Sequence, residues 1–344
     1  MTGVLRIVLP SKGEMEAPTL SFLAGAGLPV SRPNPRQYQA TLPAVPNATV
    51  VFQRVDDVVS QVADGSADLG IAGLNNVRES HRGRESLVIV IEDLGYSNCE
   101  LVLAVPDAWI DVATIGDLAD VALEFHERGR DLRIATKYRN LTSEFLLRNG
   151  ITHFTLVDSQ GAMEAAPNIG NADLIADLTS SGTTLRENHL KTIVGGTILR
   201  SQACLIANRL TLRACADRLA GVRKILELIE ARRRASGFMR ITANIRGESE
   251  EQVAEQIWSR PELAGLAGPT VSRVYGQGPD RWYAVAIVVR EECLLEAVEH
   301  LRAVGGSGVT VLPATYVFES RSLHYERLLE ELGLAAAGLV TGAH

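Results

Sequence analysis

Cysteine is scarce in this sequence. The four thiols, at Cys99, Cys204, Cys215 and Cys293, lie far apart with no CxxC pair and no histidines at zinc spacing. That pattern excludes a disulfide scaffold and a Cys-His zinc site, so free thiols are expected. The seven histidines form no HExxH or other paired metal pattern, and His189 reads as a surface residue of a helix rather than an acid or base. No metal ligand is therefore assigned. Long apolar runs are missing too. Charges at Arg6, Lys12, Glu14 and Glu16 break residues 1–30, leaving no secretory h-region, and no later run is long enough for a bilayer. A cytoplasmic protein without a membrane partner is the expectation. A basic excess is also lacking: 34 Lys and Arg against 41 Asp and Glu give a net charge of −7. With no recognisable helix-turn-helix segment, nucleic acid is not an expected partner.

What is present begins with the order of elements. Short apolar runs at residues 5–9, 49–52, 69–71, 88–91, 101–105, 133–135, 154–156, 174–177 and 203–206 read as strands alternating with helices. This is the pattern of a parallel α/β sheet, with spacings long enough for crossovers. Residues 55–64 place Val58, Val59 and Val62 at helical spacing. Residues 141–149 follow Asn140 as a cap and stop at Gly150. A charged helix from 211 to about 234 ends in Arg232-Arg233-Arg234 and reads as a linker with a solvated basic end. Beyond it, strands at 239–245, 270–274, 282–289 and 309–317 with helices at 250–258 and 292–304 give the order βαββαβ, the ferredoxin-like unit. Past Ser320, Leu323, Leu328, Leu329 and Leu332 permit a short amphipathic helix. The last ten residues are expected to fray.

The most informative stretch is residues 158–190. There an acidic strand end runs into Ser180-Ser181-Gly182-Thr183-Thr184 and then a helix. A backbone free of bulky side chains can turn several N–H groups toward one anion at a helix start. The lysine and GxxxxGK[ST] spacing of a nucleotide P-loop are absent, so the 5′-phosphate of a ribose is the more natural guest. Glu164, Asp173 and Asp177 are candidates to hold ribose hydroxyls or face a metal-bound pyrophosphate. On the loop alone, an ordinary cap or turn is the commoner reading.

Together with its neighbours the loop becomes specific. EAAPNIGNAD at 164–173 followed by DLTSSGTTL at 177–185 resembles the phosphoribosyl-diphosphate signature of the ATP phosphoribosyltransferase family, the first enzyme of histidine biosynthesis. LPSKG at 9–13, GSADLGIAG at 65–73, DLGYSNCELVLAVP at 93–106 and RIATKYRNLT at 133–142 match in the same order, so the resemblance covers about residues 4–318. It implies an α/β fold of two periplasmic-binding-protein-like lobes plus a C-terminal ferredoxin-like (ACT-like) regulatory domain. The boundaries implied are 1–98 with 186–222 for a discontinuous first lobe, 99–185 for the second, 236–320 for the regulatory domain and 321–344 for an extension. The chain would enter the second lobe near Cys99 and return near Leu185, with the active site in the cleft at the strands' carboxyl ends.

The reaction implied is displacement of pyrophosphate from the ribose anomeric carbon by a ring nitrogen of ATP. It asks for positioning and electrostatic stabilisation rather than a covalent nucleophile, with Mg²⁺ on the pyrophosphate. By resemblance, Asp177, Ser180, Ser181, Gly182, Thr183, Thr184 and Leu185 bind the phosphoribosyl group, and Ser11, Lys12, Gly13 and Gly73 the nucleotide. Lys12, Arg54 and Glu164 are the catalytic candidates. Residues 263–272, from Leu263 to Ser272, match the family's loop for histidine as feedback inhibitor, and a hexamer in exchange with a dimer is implied. The sequence departs from the pattern at Glu14, where a basic residue is common, at Asn75 in place of aspartate, at Val58-Val59 in place of Ile-Pro, and at Ser181 in place of threonine. These bear on ATP affinity more than on phosphoribosyl binding. The alternative readings are a non-catalytic paralogue acting as a regulatory subunit and a two-lobed small-molecule-binding protein.

Overall fold

Two sheets, built from interleaved parts of the first 208 residues, organise the larger of two compact units. A computed structural model describes residues 3–34, 37–80, 85–158, 163–275 and 280–334. The larger unit comprises 1–24, 28–223 and 323–344, and the smaller 25–27 and 224–322. Residues 335–344, expected to fray, lie outside the described residues.

Chain order in the larger unit begins β1 (Leu5–Pro10), α1 (Glu16–Gly25), β2 (Gln39–Thr41), β3 (Ala48–Gln53), α2 (Val55–Ala63), β4 (Leu69–Gly73), α3 (Leu74–Ser80) and β5 (Leu87–Ile91). It continues with β6 (Cys99–Pro106), α4 (Ile115–Glu127), β7 (Leu132–Thr136), α5 (Arg139–Arg148), β8 (Phe154–Val157), β9 (Leu174–Thr179), α6 (Thr183–Glu187), β10 (Leu190–Ser201), β11 (Ala203–Asn208), α7 (Arg209–Arg213) and α8 (Ala216–Ala235). The first sheet runs β2-β3-β1-β4-β11-β5 and the second β10-β6-β9-β7-β8. The sheets are mixed, which corrects the parallel expectation. β11 is antiparallel to β4 and β5, and β6 to β9 and β10, while β3-β1-β4 and β9-β7-β8 are parallel. Edge strand β2 is antiparallel to β3, and the other antiparallel pairings involve strands adjoining the two crossings between sheets. At the crossings the chains lie side by side, with Leu94 N–H donating to Ala203 O and Ala203 N–H to Tyr96 O.

The return crossing falls at Gln202 and not near Leu185, because β10 pairs with β6 in the second sheet. This strand was not expected. Its run is interrupted by Gly195-Gly196, buried and exposed residues are mixed along it without regular alternation, and its register shifts between Thr192 and Leu199, as suits a bulged edge strand.

Helix α2 buries Val58, Val59 and Val62 against β4. A Cβ on Gly70 would stand 2.8 Å from Val62 Cγ2, so glycine is what lets the helix lie that close to the strand. Helix α5 starts after Tyr138, without the expected cap by Asn140. Its first amides, from Asn140 and Leu141, donate to the two carboxylate oxygens of Glu79 at 2.8 and 3.0 Å. A residue that ends a first-lobe helix thus caps a second-lobe helix.

The two lobes repeat one anchoring device. Asp68 accepts from the Arg6 amide at 2.8 Å and from Arg6 Nε and Nη2, while Arg6 Nη2 also reaches Gly65 O. Asp173 accepts in the same way from Arg133, whose Nη1 reaches Gly170 O. Each aspartate takes a second arginine, Arg218 in the first lobe and Arg130 in the second. Sequence explains the repetition: G-x-A-D precedes β4 and β9 alike, and the arginine lies on the neighbouring parallel strand.

In the smaller unit β12 (Phe238–Arg246), α9 (Glu250–Trp258), β13 (Thr270–Val274), β14 (Trp282–Arg290), α10 (Leu294–Ala303) and β15 (Ser307–Pro313) form an antiparallel sheet in the order β13-β14-β12-β15. This is the ferredoxin-like arrangement. Along β14 the buried residues are Tyr283, Val285, Ile287 and Val289, which join α9 and α10 in one core, while alternate residues face outward half-exposed. The basic end of α8 is more than solvated: Arg232 donates to Thr315 O at 3.2 Å, and Arg234 pairs with Glu319. Helix α11 (Leu323–Glu331) belongs to the larger unit, where Leu328 and Leu332 are buried and Glu331 pairs with Arg209. Among the described residues no helix is long and apolar enough to cross a membrane.

Candidate active site

Strand β9 ends at Thr179, and the chain turns at once through residues 180–182 into α6. The turn depends on Gly182, whose φ of 70° is left-handed. Its amide donates to Thr179 Oγ1 at 2.9 Å, and Ser181 Oγ lies 3.0 Å from Thr183 Oγ1. Leu185, buried, fixes the helix below. Among the described residues the N–H groups of Ser181, Thr184 and Leu185 donate to no protein acceptor. They are start-of-helix donors left unused by the fold. Arg186 folds back over the turn, its Nη2 3.2 Å from Thr183 Oγ1 and its Nη1 3.3 Å from Ser181 O. Loop and guanidinium border a cavity of about 590 Å³, whose other wall includes Cys99, Ser201 and Gln202 of the crossing segments. That volume suits a small ligand.

Asp177 lies on β9 two residues before the strand's end, with Oδ1 accepting from the Leu178 amide at 2.8 Å. Burial raises its carboxyl above the ordinary range; the Leu178 amide and the Lys137 charge pull it down, and Glu164 pushes it up again. Glu164 and Lys137 therefore share its surroundings. Lys137 follows β7, the neighbouring parallel strand, where Thr136 pairs with Ala176. Asp173 is placed otherwise than the sequence reading had it. It stands before β9, at the opposite end of that strand from the loop, with its oxygens taken by Arg130 and Arg133. It is an anchor of the sheet, not a group facing a ligand.

The first-lobe candidates collect at the carboxyl edge of their own sheet. Ser11, Lys12 and Gly13 follow β1, Arg54 follows β3, and Gly73 ends β4, these three strands being adjacent. Lys12 and Arg54 are exposed, and among the described residues no ion pair joins Arg54 to Asp56 or Asp57; Asp56 accepts from Asn76. Gly73 has no room for a side chain, since a Cβ there would lie 2.4 Å from Asn75 Oδ1. No hydrogen bond or ion pair joins this group to the 180–185 turn among the described residues.

The departure at Asn75 has a local account. Its side chain is buried at the seam of the lobes. Nδ2 donates to Tyr138 Oη at 2.8 Å, Oδ1 accepts from Ser201 Oγ at 2.8 Å, and its amide donates to Ser201 Oγ. Burial pushes the Tyr138 phenol up, so it stays neutral in this network. Glu14 is exposed on the turn after β1, and its charge reaches Cys99, whose thiol is raised first by burial.

Sequence reasoning passed over Lys137, Tyr138 and Arg186. All three were within quoted or adjoining segments. Lys137 could have been found from its place just after a strand, whereas Arg186 acts by folding back, which no local pattern announces.

In the smaller unit, residues 263–272 carry two left-handed glycines, Gly265 (φ 106°) and Gly268 (φ 109°). A Cβ on Gly268 would meet the Trp258 ring at 2.9 Å, and one on Gly265 would meet Val288 N at 3.3 Å. Leu263 and Ala264 are buried beneath them. The two glycines leave backbone open at the turns, and the Leu266 side chain stands exposed between them.

Residues 54–231 match the family model described as ATP phosphoribosyltransferase, and residues 235–316 match that described as HisG, C-terminal domain. ATP phosphoribosyltransferase 2, chloroplastic, of Arabidopsis thaliana is 45% identical over 336 residues, which is 96% of this chain and 81% of that relative. ATP phosphoribosyltransferase of Bradyrhizobium sp. (strain ORS 278) is 36% identical over 95% of this chain and 98% of its own. Among solved structures, the ATP phosphoribosyl transferase (HisG:HisZ) complex from Thermotoga maritima is 25% identical with a TM-score of 0.51, covering 66% of this chain and 98% of that one.

Proposed function

This chain belongs to the ATP phosphoribosyltransferase family, an enzyme family of histidine biosynthesis, and from that premise we propose that it transfers phosphoribosyl from phosphoribosyl diphosphate to a ring nitrogen of ATP, with the 180–185 turn seating the donor's 5′-phosphate. The observation that carries the assignment is the set of unused N–H groups on Ser181, Thr184 and Leu185 beneath the Arg186 guanidinium. Amides converging at a helix start, with a planar cation above them, are the donors a dianionic phosphate takes.

With the phosphate fixed there, the ribose lies along β9 toward Asp177, whose raised carboxyl is suited to accepting from ring hydroxyls. Holding sugar and base in register supplies most of the rate, because the oxocarbenium-like transition state needs positioning and charge stabilisation more than bond-making by the protein. Lys12 and Arg54 stand at the carboxyl edge of the first lobe as exposed cations for the triphosphate or the departing pyrophosphate. Asp177, with Glu164 beside it, fits Mg²⁺, since the Glu164 charge raises the Asp177 carboxyl and a divalent cation relieves that repulsion. When bound there, the ion would supply Lewis-acid stabilisation of the departing pyrophosphate.

The smaller unit is the proposed seat of inhibition by histidine, at residues 263–272, where backbone can approach an amino acid closely. An oligomer, proposed as a hexamer exchanging with dimers, and a cytoplasmic setting complete the reading. The Thermotoga protein's description as a complex supports assembly. The relative from Arabidopsis is described as chloroplastic.

The test is pyrophosphate release from ATP, phosphoribosyl diphosphate and Mg²⁺, with and without histidine. Release that histidine suppresses is expected. Donor binding without release would make the chain a non-catalytic paralogue, and release indifferent to histidine would remove the inhibitory role alone.

A further inference from the structure

Away from the cleft, three metal-ligating side chains from separate elements meet at one corner of the second lobe. His126 is in the last turn of α4, Asp131 lies in the connection to β7, and His153 directly precedes β8. The imidazole rings stack with centroids 3.6 Å apart and planes 15° from parallel, and His126 Nδ1 lies 3.1 Å from Asp131 Oδ1. One potential ligand atom from each of the three residues falls within 4.8 Å of the other two. The fold holds them there. Leu132 pairs with Phe154, so the residues just before β7 and β8 are neighbours, and α4 is anchored by buried Leu118 and Ala122. The surrounding cations are already engaged, Arg128 by Glu124 and Arg130 by Asp173.

We propose that His126, Asp131 and His153 bind a late first-row divalent cation, with Zn²⁺ as the type ligand. Two imidazoles and a carboxylate are a borderline donor set that suits zinc, nickel or copper and disfavours magnesium. Bonds of about 2.0–2.2 Å require the donor atoms to draw in and the rings to leave their parallel stack, a motion about soft terminal torsions. His126 and Asp131 are exposed and His153 half-buried, so the ion enters from solvent and water completes the shell. This corner lies at the amino ends of β7 and β8, whereas the 180–185 turn follows the carboxyl end of the parallel strand β9. A strand of six residues separates the two ends by about 20 Å. The ion would clip the end of α4 to the starts of β7 and β8, stabilising the lobe without touching the nucleotide chemistry.

Isothermal titration of the full-length, tag-free protein with ZnCl₂, and visible absorption with Co²⁺ as the spectroscopic substitute, test this. One saturable site per chain is expected, with Co²⁺ ligand-field bands and a zinc-dependent rise in melting temperature. His153→Gln and Asp131→Asn should each weaken binding by at least about tenfold, as loss of one ligand from three does. Their melting temperatures without metal serve as the control for folding. Absence of saturable binding, or affinity unchanged in the His126→Gln/His153→Gln double variant, would overturn the proposal.

Discussion

Replacing Gly182 with alanine should weaken binding of phosphoribosyl diphosphate by about 10- to 100-fold while leaving the protein folded. The residue holds φ at 70°, and a Cβ there would stand 3.1 Å from Arg186 Nη1. An L-residue in that conformation costs about 1–2 kcal/mol, and Arg186 must also move from its contact with the turn. If the turn relaxes instead, at least one charge-assisted hydrogen bond to the phosphate is lost, worth about 1.5–3 kcal/mol. At 1.4 kcal/mol per decade, holding the strained turn for the ligand costs about 0.7–1.4 decades in affinity, to which the displacement of Arg186 adds, and losing the hydrogen bond costs about 1–2 decades. The control is Gly150→Ala. That glycine is also left-handed, with φ 76° and nothing within 4 Å of its would-be Cβ, so it carries the same backbone penalty away from the turn. Calorimetric titration of both variants with the donor separates the effects. Wild-type affinity in Gly182→Ala, or an equal loss in Gly150→Ala, would refute the reasoning.

Removing the hydroxyls of Thr183 and Thr184 together should raise the donor's dissociation constant by more than about tenfold, measured by the same titration, since two polar partners of the phosphate are lost. Asp173→Asn should lower stability by about 2 kcal/mol at neutral pH, leaving Arg130 and Arg133 unmatched but partly solvated. Burial raises the Asp173 carboxyl, and the bonds from Arg133 and Arg130 outweigh it, leaving the group below its ordinary value. Its contribution is therefore present above about pH 3.8 and lost as pH falls through the folded-state value, so denaturation curves of the two proteins should converge in acid. Asp177→Asn has the opposite sign. A carboxyl raised in the folded state favours folding below about pH 3.8, and that advantage is lost as pH rises through the folded value. The asparagine variant should thus melt higher than the parent at pH 7, equal it in acid, and turn over more slowly in the pyrophosphate assay.

Local signals were legible and distant partnerships were not. The turn between β9 and α6 is contained within residues 180–185, so its glycine and hydroxyls could be read directly, as could the valines of α2 and the βαββαβ order of the smaller unit. Asp173 looked like a ligand because it adjoins the signature, yet its arginine partner on β7 is 40 residues away. The cap of α5 comes from Glu79, 61 residues before Asn140. Strand β10 was hidden by Gly195-Gly196, and with it the true point of return to the first sheet. The G-x-A-D repeat was present in two quoted segments. Its meaning depends on a strand arginine that only the sheet registers bring alongside.

The central claim is that the turn after β9 grips the terminal phosphate of the sugar donor. A crystal structure with phosphoribosyl diphosphate and Mg²⁺ measures this directly. The account places the 5′-phosphorus within hydrogen-bonding reach of the Ser181, Thr184 and Leu185 amides, with Arg186 on its outer side. Donor density elsewhere, with those three amides bonded only to protein or water, would contradict it.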